Sequence, residues 1–334
     1  MTTEQSEVTR SRIATATGSA NREPYVDSFR GLLIAHMALD HASLMFNAGR
    51  GGEELAALAP DFPSDIWQFL TRFTGIPVAP AFCFMAGFMV AMTSLARVTR
   101  GISHGEVTRR LIIRGLVLIA ADAIIMGLPR ALMGFYSFMV LSSIGVAIIV
   151  LALIRDVPTK ILLPASLAIL LLHPLIDVSG LPIELRAILY EPVREGAVRS
   201  MYPIIPWGAL VVLGFVVGRD AVTRTNPIRF WLRIGAMCFA VFFAVRLYAN
   251  YGNAFEYTSV TSRDFWFFAK YPPDLPFLTW ALAITFVTLA ALKFITRDRT
   301  PSLLKPLEVF GRVPFFFYLL HFYVLGVAQA LIGT

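Results

Sequence analysis

Runs of about 20 mostly apolar residues recur from one end of this chain to the other, each long enough to cross a hydrocarbon core of about 30 Å. Backbone polar groups find no water at that depth, so such runs become helices that satisfy themselves. The pattern predicts an all-α fold, a polytopic integral membrane helix bundle. About nine spans are read, at 26–48, 76–97, 108–128, 133–154, 159–178, 203–219, 228–248, 275–296 and 310–332. Composition agrees: 57% of residues are hydrophobic and 15% charged. In such a chain a net charge of +7 reflects loop charges that set orientation, and does not point to nucleic acid.

Residues 1–24 read as a disordered cytoplasmic tail, polar and without the apolar core of a secretory signal. Lys and Arg concentrate in alternate loops. Arg97, Arg100, Arg109 and Arg110 follow the second span, and Arg155 and Lys160 the fourth. Arg219, Arg224 and Arg229 follow the sixth, and Lys293, Arg297, Arg299 and Lys305 the eighth. The positive-inside rule therefore puts the N-terminus in the cytoplasm and the C-terminus outside. Of the outer segments, 48–74 contains an amphipathic piece from Ser64 to Leu70 suited to the interface. The segment 248–274 is rich in aromatic rings, as interfacial belts are. Cys83 and Cys238 fall inside apolar runs, so no disulfide framework is indicated.

The first span, YVDSFRGLLIAHMALDHASLMFN, is the unusual one. It carries Asp27, Arg30, His36, Asp40 and His41. An ionisable side chain near the bilayer centre costs roughly 2.5–3.5 kcal/mol on insertion scales, so a mere anchor would not use them. At 100° per residue, His36, Asp40, Ser43 and Asn47 share one stripe, and Asp27, Arg30 and His41 lie near the opposite side. Such a helix is expected to be wrapped by others or to line a wet cavity. Asp27 and Arg30 have the spacing of an i,i+3 pair. Asp40 is placed either to orient His36 or to clasp another helix. Asp122, His173, Arg246 and His321 are further polar groups within spans. No P-loop, zinc spacing or GxSxG elbow is present, and the histidines are too scattered for a local metal motif. Acid/base or acyl-transfer chemistry at histidine, or proton and ion movement, remains.

Five stretches carry a resemblance: YVDSFRGLLIAHMALDHAS, FLTRFTGIPVAPAFCFMAGF, YPIIPWGALVVLGFVVGR, YPPDLPFLTWALA and VFGRVPFFFYLLHFYVLG. In order and spacing they resemble the bacterial branch of the heparan-α-glucosaminide N-acetyltransferase catalytic-domain family, from about Tyr25 to the C-terminus. The resemblance implies a transmembrane acyltransferase domain over 25–334, in a cell inner membrane. It implies an enzyme moving an acyl group, typically acetyl, from cytosolic acyl-CoA to a sugar amine or hydroxyl on the far side. Acyl-CoA would be its co-substrate. Membrane lipid and a glycan or other small hydroxyl or amine acceptor would be its partners, and a homodimer is compatible with it. The motif positions are Asp27, Arg30 and Gly31; Asp40 and His41; Arg72; Pro206 and Trp207; and Gly311, Arg312, Val313, Pro314 and His321.

The animal enzymes of that family place their catalytic histidine in the loop after the first helix, and here 47–74 contains no His. His41 takes its place as the expected general base or acyl carrier, with Asp40 beside it and Asp122 as a carboxylate from another helix to orient it. The expected acyl-CoA contacts are Arg30, Asp27, Arg312, His321, Arg72 and Trp207. The competing class is a proton-coupled transporter or flippase for a small solute or lipid-linked sugar.

Overall fold

The computed structural model describes residues 23–47, 66–224, 226–297 and 299–332. Most of the expected tail, and Ser64 and Asp65 of the amphipathic piece, lie outside these residues. The helices in chain order are α1 (Pro24–Phe46), α2 (Ile66–Gly75), α3 (Val78–Thr99), α4 (His104–Ala120), α5 (Leu128–Ala131), α6 (Val140–Ile154) and α7 (Thr159–Leu172). They continue with α8 (Ile183–Leu189), α9 (Ile204–Thr223), α10 (Pro227–Tyr248), α11 (Leu275–Ile295), α12 (Lys305–Gly311) and α13 (Pro314–Ile332). Every expected apolar run contains helix. Among the described residues, five helical stretches are long and apolar enough to cross a membrane: 66–99, 204–223, 227–248, 275–295 and 314–332. The chain is thus an all-α, multi-span membrane protein. α1 has the length to cross, about 34 Å at 1.5 Å per residue, but is not one of the five; it carries Asp27, Arg30 and Asp40.

The chain divides into two compact units, residues 83–227 and residues 23–82 with 228–334. In the first unit, α3 and α9 cross with almost no side chain between them. A Cβ on Gly87 would sit 1.7 Å from the Val211 carbonyl oxygen, and one on Gly214 1.8 Å from that of Phe84. Membrane helices associate through such close approach. The expected fourth span begins later than its apolar run suggests. Gly134 takes φ of +87°, Tyr136–Phe138 form strand β1, and β1 pairs in parallel with β2 (Val198–Ser200). Helix begins only at Val140, where the Asp122 carboxylate accepts from the backbone N–H of Met139 (3.0 Å) and Ser142 (2.9 Å). Asp122 itself lies in a π-helical turn, Ala121–Met126, that continues α4. At the start of α4, Glu106 accepts from Arg109 (2.8 Å) and Arg110 (2.7 Å), and these two bonds hold its carboxyl down at about 2.

The second unit is organised around α1. At its N-terminal end α12 lies against it: a Cβ on Gly311 would fall 1.7 Å from the Asp27 carbonyl oxygen, and one on Gly31 1.8 Å from that of Leu307. Farther along, α13 runs parallel to α1, and Gln329 donates to the Met45 carbonyl (3.0 Å). Much of α13 is bare, including Phe315, Phe316, Tyr323, Val324 and Val327, as suits a helix facing lipid. Replacing Gly311 with Ala is expected to push α12 off α1. The thermal midpoint in detergent should fall by the equivalent of about 1–3 kcal/mol, the usual cost of overpacking.

Residues 249–274 of this unit fold around two buried groups. Arg246 of α10 donates to the carbonyls of Phe265 (2.9 Å), Phe255 (2.8 Å) and Asp264 (2.9 Å) and to Asn253 Oδ1 (3.0 Å). Asp274 caps α11, accepting from Phe277 N–H at 2.8 Å, and from Ala269 (3.1 Å) and Ala254 (3.3 Å). Burial pushes its carboxyl up to about 6, against the pull of those amides and of nearby Arg246.

Candidate functional site

Pro24 opens α1 with a φ already suited to helix, and the chain then stays helical for 23 residues. Its two polar stripes are both covered within the second unit. On one side α2 ends over His36 and Asp40: a Cβ on Gly75 would lie 3.3 Å from Asp40 Oδ1 and 3.9 Å from His36 Nε2. On the other, α12 covers Asp27 and Gly31, and α13 covers His41. The expectation of a helix enclosed on both polar faces is met in this form.

The N-terminal end of α1 collects charge. Arg30 pairs with buried Asp27 at 3.2 Å, the i,i+3 pair read from the spacing. On α12, buried Glu308 is held by Lys305 (3.2 Å) and by Arg312. Lys293 of α11 pairs with Glu23 at 2.6 Å and lies 4.5 Å above the Tyr25 ring. Arg30, Arg312, Lys305 and Lys293 thus form a cationic group in which each side chain has a carboxylate partner, Lys305 and Arg312 sharing Glu308.

His41 is eleven residues past Arg30, about 16 Å along the axis. Its Nδ1 lies 2.7 Å from Nε2 of His321, a hydrogen bond between two imidazoles 280 residues apart in sequence. The ring planes differ by 13°. His321 is buried, and its Nδ1 lies 3.1 Å from the Phe317 carbonyl oxygen one turn back on α13. Phe322 packs against both rings, at 4.4 Å from each centroid, and Phe317 stacks on His321 at 8°. Two bases share one hydrogen bond here, with aromatic rings packed on both imidazoles.

Of the expected site residues, the second unit brings together His41 and His321 at one level of α1. It places Asp27, Arg30 and Arg312 at the N-terminal end of α1, and Asp40 beneath Gly75. Arg72 is half-buried on α2. Asp122 and Trp207 belong to the first unit. Trp207 is fully buried and packs on Tyr202 at 4.8 Å, and Asp122 holds the start of α6. Sequence reasoning set His321 among the acyl-CoA contacts and missed its bond to His41. The available signal was a second histidine in mid-span. Arg246 also stood out in the sequence, and its guanidinium is spent on the carbonyls of 255–265.

Residues 22–241 match the family described as heparan-alpha-glucosaminide N-acetyltransferase, catalytic. Of the five stretches that carry the resemblance, those around Asp274 and His321 lie beyond the matched span. No curated protein matches the chain. The match covers well over half of the sequence, and with it this multi-span helical protein belongs to the heparan-alpha-glucosaminide N-acetyltransferase catalytic family.

Proposed function

We propose that this membrane acyltransferase carries an acyl group, acetyl as in the family's namesake activity, from cytosolic acyl-CoA to a sugar amine or hydroxyl on the opposite face, with His41 as general base. The observation that carries the reading is the imidazole pair. A histidine on a polar helix of a membrane protein, about 16 Å along the axis from Arg30 and hydrogen-bonded to a second histidine that is buried, is an expensive arrangement without a chemical use.

The cationic inner end supports acyl-CoA as donor. Arg30 and Arg312 on adjoining elements suit phosphate, with Lys305 and Lys293 nearby, and their present carboxylate partners keep them ordered. The lysine-and-arginine-rich loops put that end on the cytosolic side. Acyl-CoA supplies an activated thioester carbonyl. His41 takes the proton as the acceptor's nitrogen or oxygen bonds to that carbon; the carbon–sulfur bond breaks, and the proton passes from His41 to the departing thiolate. Asp40, beneath Gly75 on the other face of α1, is assigned to the acceptor side. Asp122 is assigned the fixing of α6.

Purified protein in detergent or nanodiscs, given acetyl-CoA, tests the reading. Saturation at about 100 times Kd adds about 2.7 kcal/mol to the folded state, a clear upward shift in thermal midpoint. Labelled acetyl should also pass to amino sugars supplied as acceptors. A transporter or flippase would show neither the shift nor the transfer.

A further inference from the structure

Resting on the reading of His41 as base, we propose that His321 is a positioning residue that decides which nitrogen of His41 reacts. The argument begins at the Phe317 carbonyl. A carbonyl oxygen only accepts, so His321 Nδ1, 3.1 Å away, carries a hydrogen and donates it. A neutral imidazole bears one such hydrogen, so His321 Nε2 presents a lone pair. His41 Nδ1 lies 2.7 Å from that lone pair and is therefore the donor. This leaves the basic lone pair of His41 on Nε2.

Three features make this lock firm. The Phe317 oxygen belongs to the helix that carries His321, so its position is fixed by the backbone. His321 is only 5% exposed, which denies water the chance to supply the opposite pattern. Phe317 and Phe322 flank its ring, and Phe322 also packs on His41, so neither ring turns over without displacing them.

The consequence is a relay ready before the reaction starts. As Nε2 of His41 accepts the acceptor's proton, the imidazolium keeps donating Nδ1–H to His321, and no heavy atom has to move. The role resembles that of an orienting carboxylate beside a catalytic histidine, but here a neutral imidazole backed by a main-chain carbonyl performs it.

The test compares His321→Leu with His321→Gln in folded protein. Leu removes the acceptor, whereas the amide oxygen of Gln can replace it. We expect kcat to fall about 10- to 100-fold in the Leu variant, the worth of a hydrogen bond to a charged group, with KM for acetyl-CoA unchanged within a few-fold. Gln should recover most of the loss. Nitrogen-15 NMR of the labelled wild-type protein, with only five histidines to assign, should show His41 protonated on Nδ1 and bare on Nε2. Equal kcat in the Leu and Gln variants, or a bare Nδ1 in the wild type, overturns the proposal. If the Leu variant does not fold, the wild-type spectrum still decides. An active His41→Ala enzyme would instead remove the reading of His41 on which this rests, so the two failures are distinguishable.

Discussion

Replacing His41 with Ala is expected to lower turnover by about 10²- to 10⁴-fold, the range typical of losing a positioned general base. The loss should fall on kcat. Acetyl-CoA binding should persist, because Arg30 stands about 16 Å away along α1 and Arg312 belongs to the segment packed on that same end. Some stability will go as well, since His321 Nε2 loses its donor in a buried place, at a cost of about 1–3 kcal/mol. The assay therefore needs a monodisperse sample and a midpoint by thermal shift. His41→Gln, close in size and able to donate to His321, separates the two effects: it should restore stability without restoring turnover. A variant that keeps full turnover would exclude His41 from the chemistry.

The second large effect is expected at Arg246, and on folding. Its guanidinium is fully buried and serves three carbonyls and one side-chain amide of the segment that follows α10, over the Tyr257 ring at 4.7 Å. Met in its place fills the volume and supplies no donor. Four acceptors would then lose their charged donor, the Asp264 carbonyl keeping the Phe267 N–H, and the expected cost is about 3–5 kcal/mol, the scale seen when one side of a buried charged network is removed. Residues 249–274 should become sensitive to protease while the helices persist. Lys should rescue poorly, because one ammonium cannot reproduce a planar fork aimed in four directions. An Arg246→Met protein with unchanged midpoint and an intact segment would refute this account.

Much of the architecture could be read directly. Apolar runs of helix-crossing length, together with the cost of exposing backbone to lipid, leave little freedom, and each expected run does hold helix. The two polar stripes of α1 and the Asp27–Arg30 pair follow from the 100° step alone. What escaped depends on contacts between distant segments. Residues 133–139 are as apolar as a span, yet Gly134 turns the chain, and a carboxylate 17 residues earlier decides where helix resumes. Nothing local to Tyr136 announces that it pairs with Val198. The stretch YPPDLPF looked like a family signature; physically, its Asp274 is a helix cap that also ties down Ala254 and Ala269. The histidine pair is the extreme case. His41 could be picked out as the histidine standing in for the one that loop 47–74 lacks, but its partner is set by α13 lying parallel to α1, which no periodicity reports.

The contact between Gly31 and Gly311 bears on how any gating in this unit can work. Main chain touches main chain there, with no side chains to flex. Arg30 precedes Gly31 and Arg312 follows Gly311, so the two side chains are rooted on one rigid yoke. Whatever conformational freedom a catalytic cycle demands must come from somewhere other than this joint, and the main chain that bears those two cations moves as one piece while it happens.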